Sequence, residues 1–183
     1  PSFKIQEGIS LKRNQLWQMS WFYCINICKQ PSFWAIVISG MVIILINSVS
    51  LGTVYGVNSF PATYFIVEEL QETSLYFFMI VLVFYSGELI WKERGAKLNL
   101  IYDATPISDL IHLASKYIGL TFVYVVLMIS LIVSGIVFQT INGYYNYEFE
   151  VYFYGFFLEV LPFLMLYTFI AFFMQVLTNN KFV

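Results

Sequence analysis

Four stretches of this chain are each long and apolar enough to cross a bilayer, and little else in a protein of 183 residues can be built around them. A spanning helix takes about 20 mainly apolar residues. The runs are 33–51 (FWAIVISGMVIILINSVSL), 75–91 (LYFFMIVLVFYSGELIW), 117–138 (YIGLTFVYVVLMISLIVSGIVF) and 155–177 (GFFLEVLPFLMLYTFIAFFMQVL). Composition agrees: 60% of residues are hydrophobic and only 11% charged, where a soluble domain carries about a quarter charged residues to face water. The fold class read from this is all-α, a polytopic membrane bundle.

Charge placement sets the direction. Lys4, Lys12, Arg13 and Lys29 precede the first run; Lys92, Arg94, Lys97 and Lys116 lie between the second and third; Lys181 follows the fourth. The connections 52–74 and 139–154 hold no Lys or Arg, so all nine cations fall on one side of a four-span zigzag. Cytoplasmic loops carry the excess of cations, which puts that side, and both ends of the chain, in the cytoplasm of a cell whose inner membrane holds the bundle. Glu68, Glu69, Glu72, Glu148 and Glu150 face the other way, beside the aromatic segment GYYNYEFEVYFYGFF. That segment is acidic, so it suits the headgroup layer and not nucleic acid, whose stacking platforms need a cationic groove.

Residues 1–30 differ from the spans. Leu16, Trp17, Met19, Trp21 and Phe22 alternate with Lys12, Arg13, Asn14, Gln15 and Gln18, the mixture of an interfacial helix. Pro31 breaks it before the first span, giving an elbow followed by the membrane region 31–183. Cys24 and Cys28 share a helix face as small fillers, and His112 is the only histidine. Two ionisable residues stand inside the apolar runs, Glu88 and Glu159. Such residues are functional candidates by default, yet both lie near span ends, and Glu88 has Lys92 four residues on for an ion pair. Pro162 is placed to kink the last span and Asn47 to hydrogen-bond between helices. No HExxH, GxSxG or phosphate-binding glycine loop occurs, so no enzyme and no cofactor is expected in this chain. The opening PSFKIQ, without Met, and the ending TNNKFV read as an internal fragment.

The connection between the second and third runs is the unusual one. Glu88–Lys92 and Glu93–Lys97 are helix-stabilising pairs at i,i+4, so the helix is expected to leave the membrane carrying Trp91, Leu98, Ile101 and Tyr102 along one face. Pro106 ends it at Thr105. Ser108 offers an N-cap and Asp109 a first-turn anion for a short helix leading into the third span. The stripe suits either the membrane surface or a soluble partner.

The segment KERGAKLNLIYDATPISDLIHLASKYIGL resembles the corresponding loop of type-2 ATP-binding-cassette exporter permeases: Arg-Glu-x-Gly, a helix of some ten residues, Thr-Pro, a short helix, then a basic residue. Here the matching positions are Lys92, Glu93, Gly95, Thr105, Pro106 and Lys116, with Arg94 between Glu93 and Gly95 and Ser115 where many relatives have Gly. With QPSFW and QVLTNNKFV, the likeness covers most of the chain, which resembles the bacterial branch fused to a C-terminal zinc aminopeptidase-like domain. The resemblance implies a permease half of which four spans, an elbow helix and a coupling helix are present. The coupling role falls on Lys92, Glu93, Arg94, Gly95, Leu98, Ile101 and Tyr102, with the Thr105–Pro106 break fixing its angle. The implied partners are an ATP-binding subunit carrying ATP and Mg²⁺, a second permease half, and the bilayer. A polytopic anchor for a downstream peptidase-like domain is the alternative.

Overall fold

The computed structural model describes residues 9–51, 53–54, 57–58, 61–95 and 108–178, with side chains over 12–42, 61–91 and 108–177. Helix α1 is Ile9–Cys28 and α2 is Pro31–Leu51, with Pro31 opening α2 where a missing N–H is harmless. A two-residue antiparallel ladder pairs β1 (Thr53–Val54) with β2 (Val57–Asn58). α3 is Thr63–Gly95 and α4 is Asp109–Ile141. The last run starts as α5 (Phe149–Phe153), widens to π-helical turns over Tyr154–Val160, and continues as α6 (Leu161–Thr178).

Among the described residues, three helices are long and apolar enough to cross a membrane: Thr63–Trp91, Asp109–Ile141 and Phe149–Leu177. By class the protein is a helical membrane protein. The helices begin earlier than the apolar runs. α3 starts at Thr63 and not near 75 because the reach 63–74 is amphipathic: Ile66, Val67 and Leu70 are buried while Glu68 and Glu72 point away, exposed. A run of mean apolarity misses such a face, whose signature is its spacing of three to four residues. α4 likewise swallows the expected short helix, passing unbroken from Asp109 into the apolar run. Ser108 does occupy the N-cap with an extended backbone, but it caps through its carbonyl, which accepts from the N–H groups of Ile111 (2.9 Å) and His112 (3.2 Å). At the far end Gly143 adopts φ +77°, the left-handed conformation that closes helices and that glycine enters without penalty.

The contacts fix the helix directions. Phe33 meets Tyr85 and Gly40 meets Phe77, so α2 runs antiparallel to α3. Thr63 meets Gln139 and Phe78 meets Tyr124, so α4 runs antiparallel to α3. Tyr117 meets Phe172 and Tyr124 meets Thr168, so α6 runs antiparallel to α4 and parallel to α3. Tyr85, Phe78, Tyr124, Phe156 and Tyr152 are fully buried along the interior, from one end of the bundle to the other. Tyr124 and Thr168 share a buried 2.8 Å hydrogen bond, and the Thr168 hydroxyl donates onward to the Leu164 carbonyl at 2.7 Å. Thr168→Val strands the Tyr124 hydroxyl and should lower stability by about 1–3 kcal/mol, whereas adding Tyr124→Phe to it should restore most of the loss. Thermal unfolding of the detergent-solubilised variants measures this; a double variant no better than the single one would discount the bond.

Candidate functional site

The connection that the sequence singled out is held at both ends. The backbone of α3 continues through Lys92, Glu93, Arg94 and Gly95, beyond the apolar run 75–91 of the sequence. Leu98, Ile101, Tyr102, Thr105 and Pro106 lie outside the described residues, as do the side chains of 92–95. The anchors on either side are well defined.

On the α3 side, Glu88 accepts a hydrogen bond from the Gln30 carboxamide at 2.9 Å. Gln30 sits in the two-residue hinge between α1 and α2. Ser32 bridges the same hinge to α3, lying 3.2 Å from the Tyr85 hydroxyl and 3.3 Å from the Gln30 Oε1 it donates to. Gln175, in the last turns of α6, reaches Ser86 and Gly87; with its nitrogen toward the Ser86 carbonyl and its oxygen toward the Gly87 N–H, both contacts are 3.1 Å. Three segments thus converge on one turn of α3.

On the α4 side, α1 packs antiparallel along the first turns: Trp17 against Phe122 (5.2 Å between rings), Ser20 against Gly119, Tyr23 against His112. The Tyr23 hydroxyl lies 3.4 and 3.5 Å from the two ring nitrogens of His112. Lys116, expected on the cytoplasmic face as a marker of sidedness, is only 5% exposed, with its ammonium 6.0 Å from the Tyr23 ring centroid. Its stem is sheltered by α1 and its charge meets an aromatic face. Cys24 is buried in the same seam and Cys28 half-buried. The hydrogen bond between the two thiols, and then burial, push Cys24 up; the same bond draws Cys28 down to about 7 against the opposing effect of burial.

At the opposite end of the bundle, Glu159 lies within the wide turns of the last helix. The Gln71 carboxamide donates to the Gly155 carbonyl at 2.7 Å and to Glu159 Oε2 at 3.1 Å. Pro162 follows two residues after those turns; lacking an N–H, it leaves a carbonyl of the preceding turn without its usual donor, and the π turns lie directly ahead of it. Nearby, Gln139 is fully buried. It donates to the Pro61 carbonyl and the Thr63 hydroxyl, both at 3.1 Å, and accepts from the Tyr152 hydroxyl at 2.9 Å.

The two carboxylates marked in the sequence therefore lie at opposite ends, each held by a glutamine from a neighbouring segment. The glutamines themselves escaped notice. Gln30, Gln71, Gln139 and Gln175 each cross a helix seam, and the signal lay in uncharged amides interrupting apolar faces. Among the described residues no three His, Cys, Asp or Glu side chains gather to hold a metal ion. Compared with family models, with curated proteins and with solved structures, the chain matches none.

Proposed function

We propose that this chain is the membrane permease part of an ATP-binding-cassette exporter of the type-2 class. α2, at 21 residues, serves as a further crossing to make four spans, α1 is the elbow helix, and both ends of the chain face the cytoplasm of the inner membrane. ATP and Mg²⁺ sit on a partner subunit. The observation that carries the reading is the connection itself: KERGAKLNLIYDATPIS joins a helix that outruns its apolar stretch to one that starts afresh at Asp109. Both flanks are braced, by Gln30 on Glu88 and by Tyr23 beside His112 and Lys116. A force applied between residues 92 and 106 then reaches α3, α4 and the elbow together, as coupling requires. The second permease half is another copy or the remainder of a longer chain.

The test uses the full-length protein with its ATP-binding subunit. Glu93→Lys and Arg94→Glu place like charges where complementary ones dock, and are expected to weaken the stimulation of ATP hydrolysis about tenfold or more while leaving expression and thermal stability unchanged. Unaltered stimulation would sink the docking assignment. If no ATP-binding subunit co-purifies and scrambling 92–104 changes nothing, the protein is a membrane anchor instead.

A further inference from the structure

We infer that α1 is a docking surface for anionic phospholipid headgroups, an inference that stands apart from the transport reading. Its inner face, Ser20, Tyr23, Cys24 and Ile27, is buried. Trp17 and Trp21, which meet Phe122 of α4 edge-on at the rim of that seam, are still 60% and 55% exposed, and Phe22 is 65% exposed. Lys12 and Arg13 near its start and Lys29 just beyond its end are exposed too, as are Asn14, Gln15 and Gln18. From Lys12 to Gln30 there is no Asp or Glu.

Two phases reject this surface. Water does not favour three large exposed rings, and hydrocarbon does not accept the cations and amides among them. The headgroup layer takes both, since Trp is at home there and the long stems of Lys and Arg reach outward to phosphate. With no carboxylate on the helix to neutralise them, the cations attract net-negative headgroups, an attraction that adds with each Lys or Arg near the surface. The opposite end of the bundle has the reverse character: Glu68, Glu72, Glu148 and Glu150 are exposed there, and 52–74 and 139–160 contain no Lys or Arg. Anionic lipid is thus drawn to one end only, at the helix that also braces α4.

The experiment equilibrates the purified chain with an equal mixture of phosphatidylglycerol and phosphatidylcholine and counts bound lipids by native mass spectrometry. Preferential retention of phosphatidylglycerol is expected. The triple variant Lys12→Gln, Arg13→Gln, Lys29→Gln should lose that preference by about tenfold or more, with helix content by circular dichroism unchanged. Trp17→Ala with Trp21→Ala should instead lower retention of both lipids alike. Equal retention by the natural chain, or a preference that survives the triple variant, would overturn the inference. So would loss of a co-purifying acidic protein from the triple variant with its lipid preference intact, which would make this a protein-binding face.

Discussion

Gln139→Leu should lower the stability of the solubilised protein by about 2–4 kcal/mol, a shift of about 10 °C in its thermal midpoint. The volume hardly changes, so packing is not the cause. Among the described residues Gln139 is the hydrogen-bond partner of the Tyr152 hydroxyl, accepting from it at 2.9 Å, and it supplies the Pro61 carbonyl with a donor at 3.1 Å. Leucine leaves both groups buried without those bonds, and each stranded polar group carries a desolvation penalty of about 1–3 kcal/mol. Thr63 suffers less, since its hydroxyl also donates to the Asn146 carbonyl and accepts from the Glu148 N–H, both at 3.4 Å. Adding Tyr152→Phe should recover part of the loss. A midpoint unmoved by Gln139→Leu would mean that this end of the bundle is not held by its polar contacts.

The second large effect belongs to Gly119→Leu. A β-carbon at this position would stand 2.9 Å from the Ser20 carbonyl oxygen and 2.9 Å from Tyr23 Cβ. One of those atoms is backbone and the other is fixed to it, so no side chain can rotate out of the way. The helices must part, at about 3 kcal/mol or more, and α1 is the one with least holding it elsewhere. The readout is Cys24, buried in the same seam: its thiol should pass from protected to readily alkylated in the variant. Gly119→Ala should show a smaller shift in the same direction. Protection equal to that of the natural chain would mean that α1 and α4 are not in contact as described.

The sequence made the architecture readable where hydropathy is uniform and obscured it where hydropathy is one-sided. The apolar cores of α3, α4 and α6 were visible as runs. The first three turns of α3 were not, because Glu68, Glu69 and Glu72 dilute the average while Ile66, Val67 and Leu70 keep a buried face. Sidedness drawn from charge treated Lys116 as a solvent marker, yet it is tucked beneath Tyr23; a cation count registers position along the chain and is blind to a second helix lying over it. At the site, Glu88 and Glu159 drew attention as the charged residues in apolar surroundings. Their holders were carboxamides. A glutamine both donates and accepts without a charge to desolvate, so it suits a helix seam in lipid and raises no flag in a charge pattern. The side chain of Lys92, the local partner expected for Glu88, lies outside the described residues; a described partner, Gln30, lies 58 residues away in sequence, beyond the reach of any i,i+4 rule.

The wide turns at 154–160 have a bearing on how the last helix keeps its bearings. Tyr152, Phe156, Val160, Leu164, Thr168 and Phe172 are all buried, a repeat of four. An α-helix turns once in 3.6 residues, so five such steps would carry the stripe about 200° around the axis and out of the bundle. A π turn takes up an extra residue within one revolution and so pulls the stripe back toward the bundle. The segment therefore keeps one face of the helix in register with the bundle from Tyr152 to Phe172. That retained face is what brings the far end of the helix round to the place where Gln175 meets Ser86 and Gly87 of α3.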